Sequence, residues 1–68
     1  MKLRYDPEAD AMYLKFKEDS VALTKEIDPN TLLDFNEGGE IIGVEILFVN
    51  ERNPALIKEL KAKKVLLA

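Results

Sequence analysis

Alternating polarity runs through the first two-thirds of this chain of 68 residues. Between residues 11 and 17, the apolar side chains of Met12, Leu14 and Phe16 alternate with Tyr13 and with lysines. A period of two residues is the spacing of a strand that buries one face and exposes the other. A chain with this pattern folds into a sheet, and the apolar face of that sheet needs a cover.

Turn residues divide this region into strands. The pair Gly38-Gly39 is the strongest hairpin signal, because tight hairpin turns need a positive φ. Asp6-Pro7 and Asp28-Pro29-Asn30 have turn chemistry as well. We therefore predict five antiparallel strands, at about residues 2–5, 11–17, 21–27, 32–36 and 41–49.

The fifth strand is apolar on both faces. Ile42, Val44 and Ile46 are on one face, while Ile41 and Leu47 are on the other. Such a strand needs cover on both sides, which a central strand or a strand at a subunit interface would have.

A helix follows at the C-terminal end. Asn53 and Pro54 are typical of a helix start, and Leu56, Ile57 and Leu60 then form one apolar stripe. We predict an α+β fold, an antiparallel β-meander of about five strands followed by one C-terminal α-helix. The whole chain, residues 1–68, is a single domain with a β-rich body (1–50) and a helix with an apolar tail (53–68).

Several segments in this order resemble a family of small prokaryotic proteins, domain-of-unknown-function family 2283. They are Tyr5 to Tyr13 (YDPEADAMY), Glu26 to Pro29 (EIDP), Leu33 to Phe35 (LDF) and Ile42 to Leu47 (IGVEIL). The resemblance spans about the first fifty residues and leaves out the helix. It implies one compact β-rich domain and supplies no catalytic residues.

Composition excludes several classes of site. The chain has no cysteine and no histidine, which excludes disulfides, thiolate metal sites and the commonest general base. Ser20 is the sole serine and has no histidine to activate it. We therefore expect no enzyme activity and no cofactor. Because so short a chain also has no disulfide or metal to stabilise it, we expect a homo-oligomer, with a dimer first.

No apolar run approaches the length of a membrane helix, and the N-terminus has no signal-peptide core. We expect a cytoplasmic protein with no membrane partner. A composition rich in Lys and Glu leans toward a thermophilic source.

Alternate acidic residues at Asp6, Glu8 and Asp10 could begin a calcium loop. The pattern then fails, because Ala11 stands where glycine is needed and Lys17 where a bidentate glutamate is needed. A capped structural turn explains the same residues, so we predict no metal.

Two carboxylates interrupt apolar strands and raise an acid/base hypothesis. A hairpin centred between Gly38 and Gly39 places Asp34 opposite Gly43 and Glu45 opposite Leu32, so the two carboxylates are diagonal neighbours. If Glu45 is in a central strand, it needs a cation such as Arg4 or Lys25. Hydrolysis by Asp34 and Glu45 is the third of our functional hypotheses.

Charge is divided unevenly along the chain. Residues 52 to 68 carry a net charge of +4 and the first 51 residues −7. A basic helix suggests a nucleic-acid-associated protein as the alternative function. The favoured hypothesis is a non-enzymatic oligomerisation or protein-binding module. Its candidate interaction residues are Lys58, Lys61, Lys63, Lys64, Leu66 and Leu67.

Overall fold

The computed structural model describes residues 1–62. It contains five strands followed by two short helices. The strands are β1 (Lys2–Asp6), β2 (Ala11–Lys15), β3 (Leu23–Asp28), β4 (Thr31–Phe35) and β5 (Ile41–Leu47); the helices are α1 (Val49–Arg52) and α2 (Pro54–Ala62).

All the strand pairs are antiparallel, and the order across the sheet is β1-β2-β5-β4-β3. The predicted α+β class, with five antiparallel strands and a C-terminal helix, is confirmed. After the β1-β2 hairpin the chain crosses to the far edge and returns strand by strand. The doubly apolar strand β5 therefore lies at the centre, between β2 and β4, which is one of the two positions that its sequence predicted.

The predicted register of the β4-β5 hairpin is also confirmed. Asp34 pairs with Gly43, and Leu32 pairs with Glu45. The register shifts between Asp34 and Phe35, so that Phe35 pairs with Ile41. This irregularity leaves Ile42 as an additional residue beside the turn, and its side chain is buried.

Both helices lie over one face of the sheet. Tyr5 of β1 and Met12 of β2 form the core with Val49 of α1 and Ile57 of α2. Leu3, Ile46 and Leu60 pack against this cluster. We call this side of the sheet the helix side and the other side the open face. Within residues 1–62, no helix is long and apolar enough to cross a membrane.

Helix α1 was not predicted. The predicted fifth strand extended to Val49, which in the structure is the first residue of α1. The strand ends at Leu47, and Phe48 takes a left-handed conformation with a φ of 56°. Asp10 explains the break, because its carboxylate accepts the backbone N–H groups of Asn50 (2.7 Å) and Glu51 (3.1 Å). Those N–H groups belong to the first turn of the helix and need acceptors. The acceptor is supplied from forty residues earlier in the chain.

Candidate interaction surface

Exposed apolar side chains lie on the edge strand β3 and at the adjoining end of the sheet. Leu23 is 55% exposed, Ile27 is 56% exposed and Ile41 is 47% exposed. Phe16 (46%) and Val21 (50%) flank them. We call these five residues the β3 patch.

Strand register places the members of the patch together. Leu23 on β3 pairs with Phe35 on β4, and Phe35 pairs with Ile41 on β5. The backbone N–H of Phe16 then donates to the carbonyl of Ile42 at 2.8 Å, which brings Phe16 to the same end of the sheet. Because paired residues in antiparallel strands point to the same face, Leu23 and Phe35 share the helix side of the sheet with Leu33 and Val44. Ile41 lies across the register shift from Phe35, at the start of β5.

A second row continues the patch along β3. Leu33 pairs with Val44, and both are half-buried on the helix side. Lys25 pairs with Leu33 and stands on β3 between Leu23 and Ile27. A lysine at this place on an edge strand can lay its aliphatic stem along the apolar surface and keep its ammonium group in water.

The size of α2 explains why this half of the sheet is bare. Nine helical residues extend roughly 13 Å, and a helix is about 10 Å wide. Five strands at a spacing of about 4.8 Å place the two edge strands about 19 Å apart. One such helix covers about two strands, and α2 lies over the β1-β2 side, where Ile57 is 4% exposed.

A polar network borders the patch and fixes the loops around it. The Asn36 side chain, only 7% exposed, donates to Asp19 (3.1 Å) and to Glu40 (2.9 Å). Lys17 donates to the same Glu40 carboxylate at 3.0 Å. These contacts hold the β2-β3 connection against the β4-β5 turn, so the patch has an ordered border.

Charge effects follow from the same network. The Asn36 amide and the Lys17 ammonium lower the pKa of Glu40, and Glu40 in turn raises the pKa of Lys17. The Ser20 N–H and the Asn36 amide lower the pKa of Asp19. All three groups are charged at neutral pH, and their role here is to order the loops.

The open face carries the two carboxylates that suggested acid/base chemistry. Asp34 and Glu45 are on this same face, as diagonal neighbours on β4 and β5. The phenol of Tyr13 donates to one oxygen of Asp34 at 2.7 Å, and the hydroxyl of Thr24 donates to the other at 2.6 Å. Asp34 therefore ties β2 to β3 across the two strands between them.

Tyr13 reaches Asp34 by crossing the backbone of Gly43. A Cβ atom at position 43 would overlap the phenol oxygen and ring of Tyr13, so only glycine leaves room for the ring. Burial, the hydrogen bond to Asp34 and the nearby Glu45 carboxylate raise the pKa of Tyr13 to about 12. At neutral pH the phenol keeps its proton and serves as a hydrogen-bond donor.

Of the two cations expected near Glu45, the sheet brings one to the same face. Arg4 pairs with Tyr13, which in turn pairs with Glu45, so Arg4 and Glu45 lie on either side of Tyr13 on the open face. Lys25 is on the helix side and cannot pair with Glu45. Elsewhere in the sheet and its loops, ion pairs join Lys2 and Lys15 to Glu18, and Lys17 to Glu40.

The acidic turn of residues 6 to 10 is structural. One oxygen of Asp6 accepts the N–H groups of Glu8 (3.0 Å) and Ala9 (3.4 Å), which is the capped turn that the sequence predicted. Asp10 accepts the phenol of Tyr5 at 2.7 Å in addition to the two N–H groups of α1. Among residues 1–62, no three carboxylates are grouped closely enough to hold a metal ion.

The candidate interaction residues of the C-terminal segment are described in part. Lys58 and Lys61 are exposed on α2. Lys63, Lys64, Leu66 and Leu67 lie outside the described residues. The prediction that the apolar tail docks therefore stays a prediction.

Sequence reasoning missed two contacts. The capping of α1 by Asp10 joins residues forty positions apart, and no local motif marks it. The bridge from Tyr13 to Asp34 did leave a signal, because Gly43 interrupts an otherwise apolar central strand. A glycine inside a strand often marks a place where another group approaches the backbone closely.

Comparison with known proteins identifies a family. Residues 2–50 match the model of a protein family of unknown function, DUF2283. Neither the curated proteins nor the solved structures give a match. The matched segment contains all five strands and ends within α1. It therefore includes both Asp10 and Asn50, whose backbone N–H donates to the Asp10 carboxylate. The chain belongs to the DUF2283 family, as the sequence motifs indicated.

Proposed function

We propose that this protein is a non-enzymatic module that associates with another protein chain through the β3 patch. The observation that carries the proposal is the exposure of Leu23, Ile27 and Ile41, each about half in water, on the edge strand β3 and at the start of β5. The edge strand β3 is exposed at all six of its residues. We keep a cytoplasmic location as part of the proposal.

The core of the folded chain is thin, which supports association. The five buried apolar residues within residues 1–62 are Tyr5, Met12, Ile42, Val49 and Ile57. None of the described large side chains falls below 2% exposure. A domain of this size without disulfide or metal is marginal alone, and a second chain would add the missing buried surface.

The open face gives less support to hydrolysis. Both oxygens of Asp34 already accept hydroxyl groups, and Tyr13 remains protonated at neutral pH. These groups form a cross-strand tie, which explains them without a substrate. Lys58 and Lys61 are exposed on α2, where cations near a helix C-terminus need no partner, so they give no specific support to a nucleic-acid interface.

Light scattering coupled to size exclusion tests the proposal. We expect a mass above the 7.7 kDa of one chain, and a shift toward one chain in Leu23→Glu, which places a charge inside the patch. Leu56→Glu is the matched control, since Leu56 is an exposed leucine (37%) outside the patch, on α2. A mass of one chain at every concentration would contradict association with a second copy, and equal effects of the two variants would contradict the role of the patch.

A further inference from the structure

We infer that α1 and α2 form a movable lid over the β1-β2 half of the sheet, and that Asp10 is the latch that holds the lid closed. The lid is residues 49–62, and the sheet beneath it keeps its strand pairs when the lid opens. This device lies on the half of the sheet away from the β3 patch and does not depend on the proposed function.

Hydrogen bonds between the lid and the β1-β2 turn converge on Asp10. Its carboxylate accepts the N–H groups of Asn50 (2.7 Å) and Glu51 (3.1 Å), and its backbone carbonyl accepts the N–H of Val49 (3.2 Å). The same carboxylate accepts the phenol of Tyr5 at 2.7 Å. Hydrogen bonds to a carboxylate are about twice as strong as those between neutral groups. One side chain therefore joins the start of the lid to β1 and to the turn.

The backbone is left-handed at both ends of this contact. Within residues 1–62, the non-glycine residues with a positive φ are Asp10 (53°) and Phe48 (56°), and Phe48 directly precedes α1. A bulky residue takes this conformation at a cost and keeps it only where the surrounding contacts hold it. Strand β5 is fixed up to Leu47, whose N–H donates to the carbonyl of Asn30 at 2.8 Å. Phe48 is therefore a one-residue hinge between a fixed strand and the lid.

The packing beneath the lid can separate without breaking the sheet. Val49 and Ile57 are the buried side chains of the lid within residues 1–62, and they pack on Tyr5 and Met12. The pairs of β1 with β2, and of β2 with β5, are backbone ladders that do not pass through the helices. An element with few buried side chains is the kind that opens locally. The latch thus sets how often the apolar surface around Met12 meets water.

The absence of cysteine from the chain makes a direct test possible, because a single introduced thiol reports on one position. Met12→Cys places that thiol on β2 beneath the lid. The rate of maleimide labelling is measured in dilute protein, from zero to low urea, and is compared with global unfolding followed by circular dichroism. If Met12→Cys does not fold, Val49→Cys, which is close in volume to the natural valine, reports on the same cluster.

Two matched substitutions are combined with the reporter. Asp10→Gly removes the latch and accommodates the positive φ at this position. Asp28→Gly is the control, because its carboxylate caps the β3-β4 turn by accepting the N–H of Asn30 at 2.8 Å. It should weaken the sheet without acting on the lid. If Asp10→Gly does not fold, Asp10→Asn takes its place.

We expect Asp10→Gly to raise the labelling rate of Met12→Cys by about tenfold, and Asp28→Gly to change it by less than about twofold. The labelling rate should also depend on urea less steeply than global unfolding does, because opening the lid exposes less surface. A urea dependence as steep as that of global unfolding would show that the lid and the sheet open together, which overturns the inference. Equal acceleration by the two substitutions would overturn it in the same way. No acceleration in Asp10→Gly would show that Asp10 is not the latch.

Discussion

The two halves of the helix side have the same sequence pattern and opposite surroundings. On the β1-β2 half, Tyr5 and Met12 are 4–5% exposed beneath the helices. On the β3-β4 half, Leu23 is 55% exposed. Alternation of polarity thus identifies the face that needs cover, but the cover itself depends on the length and position of the elements that follow.

The largest expected effect is a difference in the free energy of unfolding between substitutions on the two halves. Met12→Ala removes a side chain from the covered core and should lower the free energy of unfolding by about 2–4 kcal/mol. Leu23→Ala on the bare half should cost less than about 1 kcal/mol in dilute protein, because the leucine is already half in water. Urea unfolding of the two variants at low concentration measures the difference. Equal losses would mean that Leu23 is covered within a single chain.

A smaller effect concerns the tie that joins the halves across the open face. Gly43→Ala should lower the free energy of unfolding by about 1–3 kcal/mol, because the added methyl displaces Tyr13 and breaks its bond to Asp34. Gly38→Ala is the matched control, since a Cβ there would meet Asn36 at 3.5 Å, an ordinary contact distance. The same urea experiment applies. If Gly43→Ala left the free energy of unfolding unchanged, the Tyr13 side chain would be able to take another position without loss of stability.

The smallest effect is the contribution of Asp10, on the covered half, to the pH dependence of stability. The Asn50 N–H, the Tyr5 phenol and the Glu51 N–H lower the pKa of Asp10 in the folded chain, despite an opposing contribution from burial. A lowered folded pKa means that this stabilisation is complete above the unfolded pKa of about 4 and is lost as the pH falls through the folded value. Asp10→Asn cannot ionise and tolerates the left-handed φ of 53° at this position.

The midpoint of urea unfolding, followed from neutral to acid pH, tests this prediction. Asp10→Asn should be less stable than the natural chain at neutral pH and should lose less stability on acidification. Parallel pH profiles for the two proteins would show that Asp10 contributes nothing to acid unfolding. The carboxylates of Glu18, Asp19 and Glu40 also have lowered pKa values, so part of the acid sensitivity should persist in the variant.

Local patterns in the sequence predicted the sheet well. The Gly38-Gly39 turn predicted the register that places Glu45 opposite Leu32, and the apolar composition of β5 predicted a central strand or an interface strand, of which the sheet has the first. These features depend on turn geometry and on the period of two, which are properties of a few neighbouring residues. The start of α2 at Pro54 was predicted for the same reason.

The candidate surface could be predicted only in part. Val21, Leu23 and Ile27 had the pattern of a strand with one apolar face, yet nothing local showed that the helix would cover the opposite half of the sheet. Helix α1 was missed because its cap comes from Asp10, which only the fold brings near. Contacts of high sequence separation follow from topology, and one sequence does not encode them as a local pattern.

The dependence of thermal stability on protein concentration tests the central claim most directly. If a second copy covers the β3 patch, folding and association are coupled, and the unfolding temperature should rise with concentration over a range of about a hundredfold. The rise should disappear in Leu23→Glu and persist in Leu56→Glu. An unfolding temperature that does not change with concentration in the natural chain would contradict the claim.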